Sequence, residues 1–399
     1  MKKPEVKYDL QIAHGSRYDF EDMKAITEVM MENAPSCGKR VKAFEEEFAD
    51  YCETTYALAV SNATSGLTLA GIAAGIEPGD EVISTPISWI SSSSSFSVLG
   101  AKLVFCDVDP NTLNLDPDKL EALITPKTKA IIPVHLYGQC CDMDKIMHIA
   151  NKHRITVIED CAHAPGGEYK GTKAGNLGHM GVFSFHQQKN MTTLGEGGMV
   201  TTNNQELFER LLSYRSLCCR SYDPKGKYLP IDENKYPMNK AYWKLIFDDF
   251  GYNFRMTDIQ AAVGTVQLKK LESNNQRRIE LAGRLSDQLG NLKGIQLPYV
   301  IPEVKHVYHI YLILLNENFP LAKRDFMWKL YTEKGIKVWS HYMLIHLMEP
   351  YVKQGHHEGE CPVAEKAFNH YASLPIHPRL TNEAIDYMAD SIKEVIEEQ

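Results

Sequence analysis

One lysine in this chain stands where an amine could do chemistry. Lys189 lies in SFHQQKNMTTLGEGGMV, Ser184 to Val200, between the apolar-aromatic run GVFSF and the glycine-rich turn GEGG. An amine enclosed at such a place gives up its proton more readily and becomes a nucleophile. Three further positions sit at the ends of predicted strands. Asp160, followed by His163, ends the run ITVIED; an aspartate there binds a cation, a ribose or a protonated ring nitrogen. SNATSG sets Asn62, Ala63, Thr64, Ser65 and Gly66 at a helix start. Free backbone N–H groups at such a start hold an anion, and phosphate suits them. Trp89, in TPISWISS, offers a flat face to an aromatic ligand. Each feature alone has an ordinary explanation: an N-cap, a core tryptophan, a hydrogen-bonded aspartate. GEGG precedes a strand rather than a helix, so it is not the dinucleotide-binding fingerprint.

The elements that must position these groups alternate between strand and helix. YALAVS (Tyr56 to Ser61), EVIS (Glu81 to Ser84), AKLVFCDVD (Ala101 to Asp109), KAIIPVHLYG (Lys129 to Gly138), ITVIEDCAH (Ile155 to His163), GVFSF and GGMVTTN read as strands. A helix is expected from about Thr64, and another after Asp116, its N-cap, with Pro117 in the first turn. This order implies an α/β fold, a mostly parallel sheet covered by helices on both faces, with ligands at the carboxyl ends of the strands. From Asp258 the chain reads as one long helix or a kinked pair leading into a second domain. There HVYHIYLIL (His306 to Leu314) is strand-like. TNEAIDYMADSIKEVIEEQ closes the chain as a helix capped by Thr381, with Ile385, Met388, Ile392 and Val395 on one face. Arg220 to Asn239 reads as a long loop. Ser91 to Ser95 is a low-complexity run too short for a linker.

Composition narrows the function. The 399 residues exceed one compact core. A net charge of −8 and no basic stripe argue against a nucleic-acid partner. MKKPEVKYDL lacks the apolar core of a signal peptide, and no apolar run approaches membrane-spanning length, so no membrane partner is expected. Nine scattered cysteines without CxxC spacing suggest reduced thiols in a cytoplasm. GHHEGEC (Gly355 to Cys361) fits no closed tetrahedral pattern, and no metal is expected.

Together, an anion site, an aromatic shelf, an acid at a strand end and a lysine beside a glycine turn meet the needs of pyridoxal 5'-phosphate. The phosphate needs donors, the ring a stacking face, the ring nitrogen a carboxylate and the aldehyde an amine. Seven motifs carry a more specific likeness: GKRVKAFEEEFADYC, SNATSGL, GDEVISTPISW, IEDCAHAPGGEYKG, GVFSFHQQKNMTTLGEGGMV, GYNFRMTDIQAA and SLPIHP. In this order, from Gly38 to Pro378, they resemble the DegT/DnrJ/EryC1/StrS family of sugar aminotransferases. The resemblance implies an aspartate-aminotransferase-like (fold type I) chain. Its parts would be an N-terminal segment (1–37), a large cofactor domain (38–257), and a linker helix with a smaller α+β domain (258–399). It implies a homodimer with shared active sites. Lys189 matches the Schiff-base lysine, Asp160 the acid paired with the pyridine nitrogen, and His163 its polar neighbour. Trp89 takes the ring-stacking place, and Ala63, Thr64 and Ser184 match phosphate contacts. Asn253 matches a residue that reaches the partner's phosphate.

The implied reaction moves an amino group from glutamate or glutamine to a keto sugar, for cell-surface polysaccharide such as lipopolysaccharide or for amino-sugar biosynthesis. Lys189, once freed, moves the proton as base and acid. The acceptor is either a nucleotide-linked keto sugar or a free keto sugar acid such as an 8-oxo-3-deoxyoctulosonate. WSHYMLIHLMEPY (Trp339 to Tyr351) follows the family loosely, Arg220 to Gly251 is longer than usual, and Gln187-Gln188 replaces smaller residues. His341 and His346 are candidate substrate contacts, or else ordinary histidines of the second domain. Two alternatives share the fold. Sugar dehydratases of the family carry histidine where this chain has Lys189. A non-catalytic regulatory member would lose Lys189 or Asp160, and this chain keeps both.

Overall fold

A computed structural model describes residues 5, 7–9, 15–32, 36–238 and 243–398. Seven strands form the central sheet: β1 (Tyr56–Val60), β2 (Glu81–Ser84), β3 (Lys102–Phe105), β4 (Thr128–Ile131), β5 (Thr156–Asp160), β6 (Met180–Ser184) and β7 (Gly198–Thr202). Their order across the sheet is β1-β7-β6-β5-β4-β2-β3. β7 runs antiparallel to both its neighbours, while the pairs from β6 through β5, β4 and β2 to β3 are parallel.

The sheet is buried on both faces because its strands are apolar on both. Leu58, Val60, Ile158, Val182 and Val200 belong to one core cluster. Ala57, Ala59, Val157, Phe183 and Met199 belong to the other. Successive residues alternate between the two, as the pleat requires. The first core includes Leu67, Leu69 and Ala70 of helix α3 (Ala63–Ala73), the second Phe44 and Phe48 of α2 (Lys39–Cys52).

Helix α5 (Asp258–Leu289) is a single element of 32 residues, resolving the choice between one helix and a kinked pair. Thr257 caps it, its side chain accepting from the Gln260 N–H, and the Gln260 side chain reaches back. Helix α1 (Phe20–Met31) and α2 pack along it. Beyond it, β8 (Ile295–Gln296), β9 (Tyr311–Leu315) and β10 (Tyr371–Leu374) form an antiparallel sheet. Helices α6 (Lys323–Thr332) and α7 (Asn382–Glu397) share a third apolar cluster with β9 and β10. Thr381 caps α7, and Ile385, Met388, Ile392 and Val395 are all buried.

One expectation changes: short strands form within and just beyond the segment Arg220 to Asn239 that reads as a loop. Cys219–Ser221 pairs with Leu229–Pro230 and with Ile246–Phe247. Strands of two or three residues are too short to show alternation. The serine run Ser91 to Ser95, read as too short for a linker, lies in helix α4 (Ser91–Ser97), which carries contacts of the candidate site.

Candidate active site

Asp160 ends β5 and is buried. Its carboxylate accepts from the Ala162 N–H (3.0 Å) and from Ser92 Oγ (2.6 Å). Ser92 comes from α4, just after the exposed Trp89 (62%), whose carbonyl accepts from the Ser92 N–H. The neighbouring Ser91 Oγ accepts from Thr64 Oγ1 at 2.9 Å. Adjacent serines thus tie the start of α3 to the acid at the end of β5.

The α3 terminus is a cup. Asn62 caps it, its side chain accepting from the Ser65 N–H, and Ala63 and Thr64 occupy the first turn. Gly198 of β7 pairs with Ser184 on one side and with Val60 on the other. A Cβ on Gly198 would lie 2.8 Å from the Asn62 carbonyl carbon and 2.9 Å from the Ala63 nitrogen. Glycine is needed there so that β7 can bring Ser184 alongside the helix start.

Lys189 follows β6 on a turn held from several sides. Its N–H donates to the His186 carbonyl at 2.8 Å. Its neighbour Asn190 is buried and donates to Asn275 Oδ1 of α5 (2.9 Å) and to the Val307 carbonyl (3.0 Å). From the other side Gly15 donates to the Gln187 carbonyl at 3.0 Å, and a Cβ on Gly15 would collide with the Lys189 carbonyl. Arg278, buried in α5, holds Gly15 in place by donating to its carbonyl at 2.9 Å, and it also donates to the Tyr308 and Ile376 carbonyls. Burial lowers the Lys189 pKa to about 8, with Asp160 opposing the shift.

Around the lysine stands a wall of rings. Tyr137, Tyr342, His163 and His309 stack in sequence, with centroids 6.5, 5.4 and 4.6 Å apart. Burial, then Lys189 and His341, hold the His163 pKa well below its ordinary value. Burial and nearby Asp160 push the Tyr342 phenol up, so it keeps its proton, and its oxygen lies at hydrogen-bond distance, 3.1 Å, from His163 Nε2. With its pKa held down, His163 is neutral, and the ring nitrogen that carries its proton is set by the hydrogen bonds the ring makes. His341 also faces Lys189: burial, then the lysine's charge, lower its pKa to about 4.

His346 lies elsewhere. It is fully buried, bonded to Glu365 Oε1 at 3.0 Å, with its ring 6.0 Å from Phe105. A side chain so enclosed is a core histidine, and it leaves the substrate candidates. Asn253 is exposed on a bridge to Ser216. Sequence reasoning missed Ser92, Tyr342 and His309. Ser92 had a signal, its place in a hydroxyl run just after Trp89.

His135, Glu159 and Cys161 cluster within 4.8 Å behind Asp160. Glu159 there accepts from the backbone N–H groups of Gly175, Leu177 and Gly178 and from His135 Nε2. His135 Nδ1 accepts from the Cys141 N–H. These bonds occupy both ring nitrogens and both carboxylate oxygens, so the cluster fixes the turn after Ala174.

The arrangement fits pyridoxal phosphate on several observations. A small-residue cup lies at a helix start, a buried acid ends a strand, and a lysine has its charge disfavoured. The buried Nδ1 atoms of His163 and His341 have no partner among the described residues. A mostly parallel sheet that joins such a cup and such an acid to a lysine turn is the build of a fold type I pyridoxal-phosphate aminotransferase. An aminotransferase from Psychrobacter cryohalolentis superimposes with a TM-score of 0.88 at 33% identity, covering 96% of this chain and 98% of its own. The PLP-form of the putative sugar aminotransferase Spr1654 from Streptococcus pneumoniae does so with a TM-score of 0.86 at 26% identity, covering 96% and 98%. The chain belongs to the DegT/DnrJ/EryC1/StrS aminotransferase family, which it matches over residues 17–393. GDP-perosamine synthase of Caulobacter vibrioides is 39% identical over 362 residues, 90% of this chain and 91% of the relative. The protein is a pyridoxal-phosphate-dependent transaminase of the sugar aminotransferase family.

Proposed function

We propose that this enzyme moves an amino group from glutamate or glutamine to a keto sugar for cell-surface polysaccharide or amino-sugar biosynthesis, with Lys189 as the reacting amine. The observation that carries this reading is Lys189 itself: its amine has a pKa of about 8, near Asp160, at the carboxyl ends of two adjacent strands. At pH 7 about a tenth of such amines are neutral and ready to react.

The bound cofactor supplies an electron sink for the carbon that loses a proton. The chain does the rest. Backbone N–H groups at Ala63 and Thr64, with Ser184, hold the phosphate. Asp160, fixed by Ser92 and the Ala162 N–H, presents a carboxylate to the ring nitrogen. Trp89 supplies a stacking face. His163, held against Tyr342, offers its buried Nδ1 to the ligand. Lys189 Nζ would hold the proton that leaves the donor's carbon and would deliver a proton to the sugar carbon that receives the nitrogen. The ring wall keeps water from that proton.

The name of the Caulobacter relative denotes a GDP-linked amino sugar, which supports a sugar acceptor here. Asn253 would complete the partner's phosphate site in a homodimer. Leu245, Phe247 and Phe250 just before it are more than half exposed, as an interface would need. No helix among the described residues is long and apolar enough to cross a membrane, and the nine cysteines are free. Both facts suit a cytoplasmic enzyme.

Borohydride reduction of the cofactor-loaded protein followed by peptide mapping tests the lysine. The label is expected on Lys189; a label on Lys173 instead would refute the assignment. A screen of keto sugars for return of the aminated cofactor to its aldehyde form tests the acceptor class.

A further inference from the structure

Lys323 stands where a positive charge is poorly supported. It opens α6, at the end of the helix where the dipole disfavours a cation. It is half-buried, and burial lowers its pKa to about 8. No ion pair joins it to a carboxylate among the described residues, and the nearby Asp325 pairs with Arg324 at 3.1 Å. Its amine reaches neutral groups instead. Nζ donates to Ser340 Oγ at 2.7 Å and to the Phe368 carbonyl. It also lies 4.6 Å over the Phe368 ring and 4.8 Å over the Tyr371 ring. A charge enclosed without a carboxylate weakens a fold, so packing alone does not account for a lysine here.

What Lys323 grips is the segment that passes from the antiparallel sheet to the central one. Trp339 exchanges both backbone hydrogen bonds with Ser373 of β10, at 3.2 and 2.7 Å. Further on, Leu344 bridges to Ile87, just beyond β2, and the Ile345 N–H donates to the Pro86 carbonyl at 2.9 Å. Between these anchors lie Ser340, His341 and Tyr342. His341 feels the charge of Lys189. The Tyr342 ring stacks 5.4 Å from His163, with its oxygen 3.1 Å from His163 Nε2. Two phenols hold the backbone of this pair. Tyr137 donates to the His341 carbonyl at 2.7 Å, and Tyr371 donates to the Tyr342 carbonyl. Lys323 binds the residue just before the pair and covers the ring of one of those phenols.

We propose that Lys323 is a positioning residue for the amino transfer: its cation, gripping Ser340 and the Tyr371 ring, keeps His341 and Tyr342 seated against His163 beside Lys189. The inference rests on the reading of Lys189 as the reacting amine and goes beyond it. Lys323 acts through others: it touches Tyr371, Tyr371 holds Tyr342, and Tyr342 meets His163. An ammonium suits the place, because its rotatable donors satisfy a hydroxyl and a carbonyl while its charge faces two rings. An apolar side chain of the same length fills the space and holds none of them. Without the grip the segment stays anchored at Trp339 and Leu344, so the chain still folds, but the Tyr342 ring loses its fixed seat. A misplacement of about 1 Å in a reacting assembly costs up to about a hundred-fold in rate, and a residue acting at two removes costs less.

The test follows cofactor absorbance as the loaded enzyme reacts with glutamate or glutamine, in wild type, Lys323→Met, Lys323→Arg and Ser340→Ala. Lys323→Met keeps the stem and removes the charge. Its limiting rate is expected to fall about ten-fold, with the half-saturating donor concentration within about two-fold of wild type, because Lys323 touches no donor. Lys323→Arg keeps a cation over the rings and is expected to recover at least about half of the lost rate. A Lys323→Met enzyme with the wild-type limiting rate overturns the proposal, and so does a slow one that Lys323→Arg leaves equally slow. If Lys323→Met melts at a lower temperature than wild type, Ser340→Ala decides, since it removes one half-buried hydroxyl. Its rate is expected to fall about three-fold or more, and a wild-type rate overturns the proposal. The two levels separate in the wild type. An enzyme that reacts with a donor, and whose rate survives Lys323→Met, loses the positioning role alone. One that reacts with neither donor loses the reading of Lys189 and the positioning role with it.

Discussion

At the scale of single residues the site depends on how few groups hold Asp160. Among the described residues, Ser92 Oγ is one of two donors to it. A hydrogen bond to a charged group is worth about 1.5–3 kcal/mol. Ser92→Ala should therefore lower turnover about ten-fold in the glutamate half-reaction, and Asp160→Asn about a hundred-fold or more. Wild-type rates in either variant would remove the assigned role. Lys189 leaves a signature in the cofactor-free protein. Its folded pKa of about 8 lies below the unfolded value of 10.5. Below pH 8 the fold must carry a charged, enclosed amine, and the cost is fully present. Between pH 8 and 10.5 the folded form sheds that proton while the unfolded chain keeps it, and the cost fades. Lys189→Met should thus be more stable than wild type at pH 7, with the gap closing toward pH 10.5. Urea midpoints across that range check it; a gap that widens with pH would be the wrong sign. Lys189 and Asp160 were legible in the sequence because each sits in a contiguous motif. Tyr342 and His309 were not, because more than a hundred residues separate them from Lys189 and folding alone brings them to it.

At the scale of elements, Gly198 sets how closely β7 approaches the α3 cup. Gly198→Ala places a methyl 2.9 Å from the Ala63 nitrogen and 2.9 Å from the Phe183 carbonyl, both backbone atoms. The strand must shift, and the cup opens. Cofactor affinity, measured by equilibrium dialysis, should fall at least about ten-fold; unchanged affinity would show that the cup tolerates the shift. The seven strands were readable because most of their residues are buried and apolar. EVIS matches β2 residue for residue, and YALAVS differs from β1 by one residue. The short strands from Cys219 onward were not, since two or three residues carry no period. The choice between the two readings of His346 was not legible for a related reason. It sits five residues from His341, but the 3-10 turn Ile345–Leu347 points it at Glu365, away from the lysine.

At the scale of the whole molecule, the proposal of a shared site makes a prediction about mixtures. Lys189→Ala and Asn253→Ala chains, each impaired alone, should recover activity when their subunits exchange. If Asn253 acts across the interface, one site of each mixed dimer receives both defects and the other receives none. If it acts within its own chain, every site keeps a defect and nothing recovers. The residual rate of Asn253→Ala must be subtracted, and exchange must be verified by a tag. No recovery after verified exchange would count against the shared site.

The reversed strand β7 also sets a timetable for a chain still being made. β1 and the start of α3 leave the ribosome early, yet β1 lies at the sheet edge and its ladder partner is β7. At about 5–20 residues per second, β1 waits roughly 7–30 s between its own synthesis and that of Gly198–Thr202. During that interval an apolar strand and an apolar helix have no sheet to join, and a holding chaperone has its binding site. The proposed phosphate cup does not exist before the interval ends. Vitamin B6 therefore enters this enzyme only after more than half of the polypeptide has been translated.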